Sequence, residues 1–99
     1  MADTIWKYPL AHQDRQEIAL PMYAKILSVG CTRDGLFLWA KVSPVLAKAH
    51  PHARHTICVI GTGNPMHDQP DKSYDFLGTV IEPTRTIDLV WHIFEEKHQ

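Results

Sequence analysis

Apolar residues recur along this chain at every second position far more consistently than at every third or fourth, the spacing of strands and not of helices. Thr4-Ile5-Trp6-Lys7-Tyr8 reads as a first strand stopped by Pro9, and Asp14-Arg15 as a turn. Glu17-Ile18-Ala19-Leu20 is a short strand ended by Pro21, and Lys25 to Cys31 is a third, rich in Ile and Val. Arg33-Asp34-Gly35 between two apolar runs predicts a hairpin, because glycine accepts the positive φ that tight turns need. In the returning strand, Leu36 to Val42, alternation sets Leu36, Leu38, Ala40 and Val42 on one face and Phe37, Trp39 and Lys41 on the other. Both faces start apolar, which predicts a central strand covered on both sides.

Ser43 to Arg54 breaks the alternation. Pro44 and Pro51 bracket Val45-Leu46-Ala47-Lys48-Ala49, enough for a helical turn but too short to stand alone. His55 to Ile60 is a strand, Gly61 to Pro65 ends it, and Met66 to Ser73 is a polar loop. Tyr74 to Ile81 is the next strand and Glu82 to Arg85 a turn. Ile87 to Phe94 closes the fold with Ile87, Leu89, Trp91 and Ile93 on one face, leaving 95–99 as a polar tail. About seven short antiparallel strands, with turns every 8–12 residues, predict an all-β domain, a sandwich or a small, partly open barrel. Residues 1–99 are read as one domain.

Composition narrows the function classes. Ten Lys and Arg stand against eleven Asp and Glu, so the formal charge is -1, which argues against a protein that coats DNA or RNA. No apolar run reaches the ~20 residues of a membrane helix. The start, Met1-Ala2-Asp3-Thr4, lacks a basic-then-apolar leader, so a cytosolic location is expected. Cys31 and Cys58 form no C-x-x-C pair and read as small buried hydrophobes.

The candidate chemistry gathers in three places. The 43–55 stretch carries Lys48, His50, His52, Arg54 and His55, and no acidic residue occurs from Leu36 to His67. That local positive patch suits a phosphate group or an acidic partner surface. Its histidines, with His67-Asp68, have the right donor atoms for zinc, but no ligand frame accompanies them and no metal is assigned. Gly61-Thr62-Gly63-Asn64-Pro65 lacks the third glycine of a dinucleotide loop, but Thr62 and Asn64 could shape a small anion-binding nest. Trp39 and His92 are candidate contacts on the strands. No nucleophile elbow or carboxylate pair is evident, and His55 and Cys58, three apart on a strand, face opposite ways. The expectation is therefore a non-enzymatic protein with no catalytic residues and no cofactor. Phe37, Trp39 and Phe94 on the second faces of their strands need cover, which predicts self-association into a homo-oligomer.

The series Ile5-Trp6-Lys7-Tyr8-Pro9-Leu10, Leu38-Trp39-Ala40-Lys41-Val42, Gly61-Thr62-Gly63-Asn64-Pro65, Leu77-Gly78-Thr79-Val80 and Val90-Trp91-His92-Ile93-Phe94 resembles a family of small tailed-phage and prophage proteins. The resemblance implies a compact phage accessory protein acting in the host cytoplasm and brings no catalytic residues with it. By analogy, such proteins often antagonise host defence by binding a host defence protein. Two other readings stand beside that one. The first is a sponge for a small anionic nucleotide, held by Arg54, Lys48 and the Gly61–Gly63 turn; the second is a virion or morphogenesis component held through sheet edges.

Overall fold

The computed structural model describes residues 2–98. In chain order its elements are β1 (Thr4–Leu10), β2 (Arg15–Leu20), β3 (Lys25–Thr32), β4 (Gly35–Val42), α1 (Pro44–Ala49), β5 (Ala53–Gly61), β6 (Lys72–Pro83) and β7 (Asp88–His98). The strands form two antiparallel sheets, one ordered β1-β4-β3 and the other β2-β5-β7-β6. They stack face to face without closing into a barrel, so the sandwich is the correct alternative. The smallest extent between Cα atoms, 15 Å, is two sheet layers deep.

Both sheets feed one core. Leu10, Leu36, Leu38, Ala40 and Val42 meet Leu20, Ile57, Val59, Val80 and Ile93 from the opposite layer. Removing a leucine or isoleucine side chain such as Leu38 or Ile93 fully from water stabilises the fold by about 1.5–3 kcal/mol. β4 is central in its sheet, as its two apolar faces require. The hairpin before it turns through Arg33 and Asp34, with the positive φ carried by Gly35 at 116°. Pro9 does not end β1. It lies inside that strand, which is tolerated because β1 is an edge and an edge residue can do without its amide.

The 43–54 segment does contain a helix, of six residues. Ser43 caps it by accepting from the Leu46 amide at 3.3 Å, Pro44 opens it, and Ala47 packs on the core. These contacts supply what so short a helix lacks by itself.

Further expectations need correction. The polar tail is a strand as far as His98, and Gln99 lies outside the described residues. Glu95 and Glu96 are each only 9% exposed, because residues far away in sequence supply partners for their charge. Ile87, expected on the core face of the last strand, sits before β7 in the turn and is 61% exposed. There Thr84 and Ile87 close the turn, the Thr84 amide donating to the Ile87 carbonyl at 2.9 Å.

The expected bare aromatic face of β4 is also largely covered. Phe37 is buried, with the Lys7 ammonium 4.3 Å from the ring centroid. Half-buried Trp39 sets the edge of its indole against Gly30, where a β-carbon would come within 2.6 Å of the ring.

Candidate functional site

The pairing of the strands sorts the candidate residues into separate places. Arg54 is the second residue of β5 and Gly61 ends it, seven positions away, or about 23 Å at strand rise. A single phosphate cannot touch both. The 43–55 patch is also less positive than its sequence suggests. β2 pairs with β5 so that Arg54 meets Glu17 at 3.1 Å, and β7 brings Glu95 Oε2 within 2.6 Å of His55 Nδ1. Lys48, His50 and His52 remain exposed, with His50 ending α1 and packed edge-on against Tyr23 at 5.7 Å between ring centroids. Trp39 belongs to the outer face of the other sheet and joins none of them.

Two amides that a nest at the 61–64 turn would use are engaged within the fold. The Thr62 amide donates to the Val90 carbonyl at 3.1 Å and the Asn64 amide to the Gly61 carbonyl at 3.0 Å. A hollow of about 250 Å³ lies beside the turn, but the residues that line it include the acidic Asp88, whose charge opposes a phosphate. His92 is occupied as well: Thr62 Oγ1 lies 2.7 Å from its Nε2 and Thr79 Oγ1 3.0 Å from its Nδ1. A neutral imidazole has one donor and one acceptor nitrogen, and both are satisfied here.

A cleft of about 430 Å³ lies at the end of the second sheet where β5 begins and β7 finishes. It is built from charged pairs. Arg15 grips Glu96 from Nη2 at 2.7 Å and Nε at 3.2 Å, and the Tyr74 hydroxyl donates to the same carboxylate at 3.3 Å. The Arg15 hydrogen bond is the main cause that holds the Glu96 carboxyl below its ordinary range, against the opposing effect of burial. Lys97 bridges Asp75 at 2.9 Å and Glu95 at 3.9 Å. At the opposite end, partial burial disfavours the Glu82 carboxylate, yet hydrogen bonds from His12 at 2.9 Å and Trp91 Nε1 at 3.0 Å outweigh it and keep its pKa low. Burial pushes both cysteine thiols up, so neither is primed as a nucleophile. Among the described residues no three His, Cys, Asp or Glu side chains gather so as to hold a metal ion. Likewise, no helix among them is long and apolar enough to cross a membrane.

What sequence reasoning missed is an apolar row on the outside of the second sheet. Strict alternation would set Phe76 and Val80 on one face. A bulge between Phe76 and Gly78 breaks that rule: before it Phe76 pairs with Phe94, after it Thr79 pairs with His92 and Ile81 with Val90. Val80 therefore turns inward, 5% exposed, while Phe76 and Ile81 face solvent at 59% each. Phe76 packs on half-buried Phe94 at 5.3 Å between centroids. Gly78, at φ 153°, is the only sequence signal of the bulge.

The model of a family described as a domain of unknown function, DUF7352, matches residues 1–99. No curated protein and no solved structure matches the chain. The full-length match places the chain in that family: it is a member of DUF7352.

Proposed function

We propose that this chain is a non-enzymatic phage accessory protein that binds a host protein, as an antagonist of host defence. The observation that carries the binding role is the row Phe76, Phe94 and Ile81 on the outer face of β6 and β7. The solvent face of an antiparallel sheet ordinarily reads polar. Here two large side chains stand 59% exposed around a third, with Thr79 and His92 already bonded to each other between them. Adjacent apolar and aromatic side chains with satisfied polar neighbours are the composition of an interface centre. The phage setting rests on the motif series from Ile5 to Phe94 and its resemblance to tailed-phage proteins. Support for binding over catalysis comes from the way His55, His92, Glu95 and Glu96 are each engaged by a neighbour in the fold.

The test is capture from host lysate on immobilised protein, read by mass spectrometry, with Phe76→Ser/Ile81→Ser as the paired variant. Both positions are exposed, so melting temperature should change little. A host defence component retained by the parent chain and lost with the double variant is expected. Retention that the variant does not alter, or no retained protein, contradicts the proposal. If the variant instead converts a dimer to a monomer in sedimentation, the face serves self-association and the host-binding reading falls.

A further inference from the structure

We propose a second contact surface on this protein, centred on Tyr23 and His50, that receives an acidic segment of a partner protein. It rests on the reading of the chain as a binding protein but not on the β6 face.

Tyr23 is the one non-glycine among the described residues with positive φ, 66°. It occupies the third position of the turn that joins β2 to β3, closed by the Ala24 amide donating to the Pro21 carbonyl at 3.0 Å. Glycine or asparagine is the residue that position favours. An aromatic side chain there is strained, and burial does not compensate it, because Tyr23 is 70% exposed. Its ring is instead held upright by an edge-on contact with His50. A strained, exposed and oriented tyrosine is a feature that stability alone does not explain. Tyrosine is also among the residues that most often anchor protein interfaces, with a rigid ring and a hydroxyl donor.

The charges around it specify the partner. Lys25, two residues on, lies directly across the ladder from Lys41. Like charges opposite one another cost stability. Asp3, 3.7 Å from Lys41, relieves one of them, and Asp75 and Glu95, the acids that line a hollow with Lys25, are engaged by Lys97. Lys48, two residues before His50, is exposed, and among the described residues neither it nor Lys25 joins an ion pair. Glu17, the one acid of β2, is already held by Arg54. What remains is an exposed aromatic ring against the His50 imidazole, with Lys25 two residues along from the tyrosine, Lys48 two residues before the histidine and exposed His52 two after it, a local excess of basic groups that fits carboxylates on an extended segment.

The experiment is fluorescence anisotropy with a labelled oligoglutamate peptide, and a labelled oligothymidylate of equal length as comparator. Saturable peptide binding is expected, weakened about tenfold or more in Tyr23→Gly, the loss typical of an anchor residue. Lys25→Glu/Lys48→Glu should weaken it likewise. Tyr23→Gly should melt no lower than the parent chain, because glycine relieves the strained φ. Phe76→Ser/Ile81→Ser should bind the peptide as the parent does, so failure of one surface is distinguishable from failure of the other. Absent peptide binding, binding unchanged in Tyr23→Gly, or a preference for the oligothymidylate would each overturn the proposal.

Discussion

Arg15 and Glu96 lie 81 positions apart and meet through two hydrogen bonds, of 2.7 and 3.2 Å, that fasten the edge strand β2 to the end of β7. The Glu96 side chain is 5% exposed and the Arg15 side chain 56%. Removing the arginine would leave a buried carboxylate with only Tyr74 as a side-chain partner. Solvent reaches the arginine, so Arg15→Ala should cost about 1–2 kcal/mol, toward the lower end for a hydrogen bond to a charged group. Urea unfolding at neutral pH measures it.

The same pair sets an acid dependence. The folded-state pKa of Glu96 is lowered, chiefly by Arg15. Its stabilisation is therefore present above the ordinary carboxylate range and is lost as pH falls through the lowered folded value. The gap between the parent chain and Arg15→Ala should be full at neutral pH and shrink as the medium is taken down to about pH 2–3. A gap that stays constant over that range would place the effect of Arg15 outside the ion pair.

Gly78 of β6 lies against Val29 of β3, across from one sheet to the other. A β-carbon there would lie 2.8 Å from Val29 Cγ2, and φ is 153°. Gly78→Ala should therefore destabilise by about 1–3 kcal/mol through crowding and backbone strain together. Adding Val29→Ala should return the crowding part and leave the backbone part. A double-mutant cycle in thermal unfolding separates the two.

The alternation in β4 predicts opposite outcomes for nearby positions. Leu38 is wholly buried, so Leu38→Ala should cost about 2–5 kcal/mol. Lys41, on the outer face, is exposed and loses only a 3.7 Å contact to Asp3, so Lys41→Ala should stay within about 0.5 kcal/mol of the parent. Chemical denaturation of the two variants checks the face assignment directly.

The strands whose alternation is unbroken were legible from the chain. Leu36, Leu38, Ala40 and Val42 announce a buried face, and the core contains all four. The end of β7 was not legible, since Glu95, Glu96 and Lys97 look like a solvated tail until Arg15, His55 and Asp75 arrive from other strands. Local pattern carries no record of such long-range partners. The outer apolar row was hidden for a different reason: one extra residue at the Phe76–Gly78 bulge shifts the phase of every side chain after it. The 43–55 candidates were found as residues, but not as a site, because the ladder sets Glu17 beside Arg54 and Glu95 beside His55.

The most direct measurement of the proposed binding role is hydroxyl-radical footprinting of Phe76, free and in complex with the captured host protein. The ring is 59% exposed in the free chain and should oxidise readily there. In the complex, oxidation of Phe76 should fall severalfold while that of Tyr74, on the same strand, changes less. Equal oxidation of Phe76 in the two states would contradict the assignment of the β6 face as the surface that binds the host protein.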